Sequence, residues 1–253
     1  MHFYEKLESG EIIPRHFVPM TTKDGLRPTR ISDVKKAANE GKTWVPSVTT
    51  ILDVLDKRAL TNWKIDQHLS IAYKNPDLST DNERGYIDEI KRLTELQMDK
   101  APAAGSNFHT DMQNFITGNK ISSPRFNLCK KVYRGISDKT GNEPVLMWLT
   151  EQNFISDMGY GGQIDLTLPD WVIDYKTKQK ADKFKPGKMV YDEHWMQLAA
   201  YREAVKPKGR AANIFVCLKD GQVEFVEHTE EQLQRGWKMF HHAKELWYLQ
   251  NGN

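Results

Sequence analysis

The sequence predicts a mixed α/β (α+β) protein, with a sheet-bearing core behind a mainly helical N-terminal region. Three observations point there. Apolar residues recur at helical spacing through the first half. After Gly141 the pattern changes to short β-prone runs separated by Gly, Pro and Asp turns. The elements then follow as three strands, a helix, two strands and a closing helix, an order that builds layered α/β or α+β cores. With 253 residues the chain can bury one sizeable core or two small ones. Its 39% hydrophobic and 28% charged composition is that of an ordinary globular chain, neither disordered nor membrane-spanning.

Residues 12–30 read as short strands and loops, with turn signals at Lys23-Asp24-Gly25 and Arg27-Pro28. A short helix follows over 32–40, with Ser32 as its cap and Gly41 as its stop. Hydroxyls in Pro46-Ser47-Val48-Thr49-Thr50 offer caps for another helix. Residues 59–73 carry Leu60, Trp63, Ile65, Leu69 and Ile71, and 80–100 carry Tyr86, Ile87, Ile90, Leu93, Leu96 and Met98, both at helical spacing. Ala101-Pro102-Ala103-Ala104-Gly105 should interrupt the helical run, with further helices over 106–117 and 124–137.

Beyond Gly141, strands are expected at 145–151, 162–168 and 171–175, forming an antiparallel meander with turns at Asp157-Met158-Gly159 and Leu168-Pro169-Asp170. A helix over 192–205 is followed by strands at 212–218 and 223–228, joined by the hairpin signal Asp220-Gly221. Thr229 with Glu231 and Gln232 then opens a closing helix to about Leu249. The expected organisation is a helical region over 1–120 and a core over 121–253, together one compact unit.

Chemistry concentrates in Gly161-Gly162-Gln163-Ile164-Asp165 and Val172-Ile173-Asp174-Tyr175-Lys176. The first places a carboxylate just inside a Gly-containing turn. If the two strands pair around Leu168-Pro169-Asp170, Asp165 and Asp174 approach within metal-bridging distance. Lys176 leaves the same strand face as Asp174. Carboxylate oxygens suit hard cations such as Mg²⁺ or Mn²⁺, and a cation beside a water is what phosphodiester hydrolysis needs. An amphipathic hairpin with ordinary surface charges would show the same triplet. The apolar approach Val172-Ile173 instead puts Asp174 at a buried strand end, where an unpaired charge is costly.

Other residues gain meaning from that setting. Gly105 precedes a predicted helix that carries His109 in its first turns, and Gln197 and Tyr201 lie at i and i+4 on one helix face. After the acids comes a lysine-rich stretch with Lys178, Lys180 and Lys183, suited to phosphate backbones without sequence readout. Phe184, among polar neighbours, is the better candidate to stack on unpaired bases, whereas Trp195 suits the core. The net charge of +2 is nearly neutral, so any nucleic-acid signal must be local. Cys129 and Cys217 are too few for a disulfide framework or a four-cysteine iron–sulfur cluster, so no such cluster is expected. The N-terminus lacks a secretory layout and no apolar run reaches the ~18 residues of a membrane span, so a cytoplasmic protein is the expectation.

In order and spacing, Gly105/His109, Gly162/Asp165, Asp174/Lys176 and Gln197/Tyr201 resemble the four motifs of the PD-(D/E)xK nuclease superfamily in its RecB-like exonuclease branch. The likeness spans roughly residues 100–205. The segment 46–63, with Pro46-Ser47-Val48-Thr49-Thr50 and Trp63, looks like the helical region of the mitochondrial genome maintenance exonucleases and related phage proteins. The resemblance implies a restriction-endonuclease-like core, a central mixed sheet flanked by helices, with an N-terminal region able to arch over a DNA end. It implies His109, Asp165 and Asp174 as metal ligands for one or two Mg²⁺ or Mn²⁺ ions, with the Tyr175 carbonyl completing the shell. It makes Lys176 the group that positions water, and Gln197 and Tyr201 braces of the catalytic strand or DNA contacts. Glu151 is either a site acid or a solvated strand residue. The activity implied is DNA exonuclease action on single strands or ends in replication, recombination or repair. DNA would be the partner, with a single-strand-binding or recombination protein beside it, in a bacterial or phage-infected cell. A structure-specific endonuclease or a non-catalytic DNA-binding recombination partner are the alternatives.

Overall fold

Side-chain caps at Asp33, Ser47 and Thr229 fix where three of the helices start. The computed structural model describes every residue except 21–24, 79–81, 99, 122, 142–147, 180, 182–183, 207 and 253, and the side chains of all these but 59, 100–103 and 123. In chain order the elements are β1 (Phe3–Lys6), β2 (Ile12–Pro14), β3 (Phe17–Pro19), β4 (Leu26–Pro28), α1 (Ile31–Asn39), β5 (Trp44–Pro46), α2 (Val48–Leu52), α3 (Arg58–Lys74), α4 (Glu83–Met98), α5 (Lys100–Ile116), α6 (Ser123–Thr140), β6 (Leu149–Ser156), β7 (Tyr160–Leu168), β8 (Trp171–Lys178), α7 (Asp192–Val205), β9 (Arg210–Cys217), β10 (Val223–Glu227) and α8 (Glu230–Asn251). The mixed α/β class expected from the sequence is the one found.

The chain divides into two compact units, one formed by Met1–Val54 with Asp111–Asn253 and the other by Leu55–Thr110. The first 54 residues, expected within a helical region, instead carry β1–β5 and join the sheet-bearing unit. In the smaller unit α3 and α4 run antiparallel, with Tyr86 reaching the Ala72 carbonyl and Gln97 reaching Gln67. Of the apolar positions expected on α3, Ile71 is buried, but Leu60, Trp63, Ile65 and Leu69 are exposed. They are spread around the helix rather than aligned in one stripe.

Two local expectations are corrected. The cap of α1 is not Ser32: the Asp33 carboxylate takes the Arg30 N–H at 2.9 Å and both prongs of Arg27 at 2.7 Å. Nor does 101–105 break the helix, since α5 runs through it. Pro102 falls in the first turn, where its missing N–H has no intrahelical partner to lose. The expected hydroxyl caps stand: Ser47 Oγ accepts from Thr50 N at 3.0 Å, and Thr229 and Gln232 form a reciprocal box that opens α8.

The central sheet has the order β10-β9-β8-β7-β6. β6, β7 and β8 form the expected antiparallel meander. The turn after Leu168 sets the register Leu168↔Trp171 and Leu166↔Ile173. α7 then carries the chain back so that β9 lies parallel to β8, because a parallel neighbour requires a crossover. Buried Ile164, Leu166, Val172, Ile173, Ile214 and Val216 fill the sheet. α7 and α8 pack closely at Gly236, where a Cβ would lie 2.6 Å from the Trp195 backbone. A separate small sheet has the order β2-β1-β5, and Ser47 bridges in parallel to Gly161 at the start of β7.

Candidate functional site

Gly161 and Gly162 do not form the turn that the sequence suggests; both lie within β7. They are small because other groups press on them. A Cβ at Gly161 would meet the Phe154 carbonyl at 2.8 Å, and one at Gly162 would meet the Phe154 and Tyr201 rings at 2.7 and 2.8 Å. Past them, the sheet opens around Asp165. On one side, β6 pairs with β7 at Thr150↔Leu166 and again at Gln152↔Ile164, skipping Glu151 opposite Asp165. Glu151 has φ +51°, the positive value among the described non-glycine residues, in the sparsely used left-handed region. On the other side, the ladder to β8 reaches only Leu166↔Ile173. There the Tyr175 N–H donates to the Asp165 carboxylate (Oδ2, 2.6 Å) instead of to a strand carbonyl.

This opening gathers the acids. Carboxylate oxygens of Glu151 and Asp165 lie within 4.8 Å of each other. Asp165 and Asp174 are both buried. Lys176 Nζ lies 2.8 Å from Asp174 Oδ2 and donates to Gln197 Oε1 at 2.8 Å. Because an ammonium only donates, the Gln197 oxygen must face it, leaving Gln197 Nε2 to donate to Tyr201 OH at 2.9 Å. Burial pushes the Asp174 carboxyl up, and nearby Asp165 adds to this, against the downward pull of Lys176.

A second set of bonds reaches Asp174 from residues that the sequence reading did not single out. Asn213, opposite Asp174 in the parallel register and fully buried, donates Nδ2 to Asp174 Oδ2 at 2.8 Å. Its Oδ1 lies 2.8 Å from His228 Nε2. Burial depresses His228 to about 4, so it is neutral at pH 7. The signal that could have found Asn213 is its position in Ala211-Ala212-Asn213-Ile214-Phe215-Val216, a lone amide in an otherwise apolar buried strand. His194 was also missed. It stands one turn before Gln197 on α7, with Nδ1 3.2 Å from the Tyr191 N–H, and burial lowers it to about 4.

The remaining candidates fall as follows. His109 lies on α5 within the 55–110 unit, half-buried. Tyr175 is buried and bonded through its N–H to Asp165. Gln197 and Tyr201 brace Lys176; Tyr201 is 4% exposed and so is corrected from a DNA contact to an internal one. Phe184 is likewise corrected. It packs with Met189, Phe215 and Cys217 in the core and offers no ring to a base. Lys178 is half-buried with Nζ 6.0 Å from the centre of the Tyr191 ring, and burial and Lys176 lower it. Lys180 and Lys183 lie outside the described residues. Trp195, expected in the core, is half-buried beside Gly236. Among the described residues no helix is long and apolar enough to cross a membrane.

No protein-family model and no curated protein matches the chain. Solved structures do show likeness. SSO0001 shares 13% identity at TM-score 0.29, over 71% of this chain and 85% of its own. A chain from Eubacterium rectale, provisionally named an exonuclease, shares 14% at TM-score 0.33, over 72% and 73%. The alkaline exonuclease LHK-Exo from Laribacter hongkongensis shares 14% at TM-score 0.28, over 57% and 84%. At these identities and scores the likenesses carry no weight for the chemistry of this chain, which stands on its own side chains.

Proposed function

We propose that the chain is a metal-dependent deoxyribonuclease that hydrolyses phosphodiester bonds as an exonuclease on single strands or DNA ends. The observation that carries this reading is the opening of the sheet at Asp165. There the Glu151 and Asp165 carboxylates meet beside a buried Asp174 already bonded to Lys176.

The donor chemistry fits Mg²⁺ or Mn²⁺, since carboxylate oxygens are hard ligands. Glu151, Asp165 and Asp174 would hold the ion, with His109 and the Tyr175 carbonyl as the further ligands implied by the family resemblance. When bound, such an ion supplies positive charge against the phosphate and lowers the pKa of a coordinated water. The chain's own residues do the rest. Lys176 is fixed from two sides, by Asp174 and by Gln197, so its ammonium is set in place before substrate arrives. A preset charge of that kind can orient the attacking water and offset charge that develops on the phosphate. Tyr201 holds Gln197, and thus the lysine, from inside the core. Lys178, with Lys180 and Lys183, supplies phosphate attraction beyond the site.

The test is degradation of end-labelled single- and double-stranded oligonucleotides with Mg²⁺ or Mn²⁺, comparing wild type with Asp174→Ala and Lys176→Ala. Loss of activity in both is expected. Full activity in either sinks the site assignment, and cleavage of circular single-stranded DNA favours the endonuclease reading over the exonuclease one.

A further inference from the structure

Asp174 is bonded by more than its lysine, and the second set of bonds has a fixed direction. A carboxylate only accepts, so Asn213 must turn Nδ2 to Asp174. Its Oδ1 is then an acceptor facing His228, and His228 Nε2 must carry the proton it donates. From His228 through Asn213, every donor points towards Asp174. Asn213 is 0% and His228 4% exposed, so these bonds form where an unmatched polar group is expensive.

We propose that Asn213 and His228 are positioning residues: they lock the Asp174 carboxylate so that Oδ2 is occupied by Asn213 and Lys176, and Oδ1 is presented to the cation. The inference rests on reading Asp174 as a ligand of the proposed nuclease site. Two features separate it from ordinary core satisfaction. Asn213 is adjacent to Asp174 by strand register, so the contact is built into the sheet. Its strand neighbours Ala211, Ala212, Ile214, Phe215 and Val216 are apolar and buried, and an apolar residue at 213 would have filled the strand without needing His228 as a partner. Should the His228 donor be lost, Asn213 can turn over and set Oδ1 against the carboxylate, which repels it. Bonds that orient a ligating carboxylate are worth about 10- to 100-fold in metal affinity or activity.

The experiment compares His228→Gln with His228→Leu. Glutamine can place an amide N–H near the position of Nε2, whereas leucine fills similar volume without a donor. Mn²⁺ affinity is read by titration calorimetry, kcat and KM by oligonucleotide degradation, and folding by thermal unfolding. In His228→Leu, Mn²⁺ affinity and kcat should fall about 10- to 100-fold with KM for DNA unchanged, and His228→Gln should restore both. A merely structural role would lower the melting temperature of both variants without this split or rescue. Wild-type Mn²⁺ affinity and kcat in His228→Leu overturn the inference alone. Absence of Mn²⁺ binding and nuclease activity in the wild type overturns the functional reading and the inference with it. If His228→Leu does not fold, Asn213→Ala removes the donor to Asp174 directly, and wild-type Mn²⁺ affinity there overturns the inference as well.

Discussion

Replacing Gly236 by alanine probes how helix packing holds the site together. Gly236 lies on α8 where it crosses α7, and an added Cβ would fall 2.6 Å from both C and O of Trp195 and 2.9 Å from its Cβ. Carbon pairs rest at roughly 3.5–4.0 Å, so the α7 backbone must retreat by about 1 Å. The Trp195 atoms that the Cβ would meet include main chain, so no flexible side-chain end can yield instead. Overpacking of this kind costs about 1–3 kcal/mol, and the better helix propensity of alanine offsets up to about 1 kcal/mol. Taking the middle of that range, the expected net loss is about 1 kcal/mol, read as a lower urea midpoint with an unchanged slope. Trp195 precedes Gln197 by less than one turn. A 1 Å shift would therefore carry Gln197 Oε1 from 2.8 Å beyond hydrogen-bonding range of Lys176. DNA degradation by the folded variant should drop as well. A urea midpoint equal to or above wild type refutes the packing account, because glycine-to-alanine in an uncrowded helix stabilises.

Three further outcomes follow from the same geometry. At Glu151, where φ is +51°, Glu151→Gly should be more stable than Glu151→Ala by about 1–2 kcal/mol, the strain of an L-residue in the left-handed region. Both variants should lose nuclease activity, and equal stabilities in thermal unfolding would contradict the strain. His228, ordinarily near 6.5, is held to about 4 in the fold, so between those values the unfolded chain binds a proton that the native chain refuses. Stability from this group is present above pH 6.5 and lost as pH falls towards 4, by no more than about 3 kcal/mol; urea midpoints at pH 7 and pH 5 should differ less in His228→Gln than in wild type. Finally, combined Lys178→Ala, Lys180→Ala and Lys183→Ala should weaken DNA binding and flatten its salt dependence while Mn²⁺ binding stays intact, and unchanged affinity at physiological salt would count against a DNA path over this segment.

Much of the fold is legible because local signals agree with it. The helix over 192–205 and the strands on either side of Pro169-Asp170 stand where their spacing and turn residues put them. The misreadings share a cause. Phe184 has polar neighbours in sequence, but Met189, Phe215 and Cys217 in space, which places it in the core. Pro102 and Gly105 read as breakers, yet they fall early in a helix that tolerates them. Gly161 and Gly162 read as a turn, yet they are glycine because Phe154, Tyr4 and Tyr201 leave no room for a Cβ.

By itself, the sequence determined the mixed α/β class and the strand–turn–strand unit that carries Asp165, Asp174 and Lys176, because these depend on strand periodicity and on one short turn. Only the tertiary structure decided how Asp174 is held. Gln197 and Tyr201 reach it from α7 through Lys176, and Asn213 reaches it from β9, backed by His228 at the entry to α8. Those partners are far apart along the chain and share no periodicity, so only the crossover that lays β9 parallel to β8 brings them to one carboxylate.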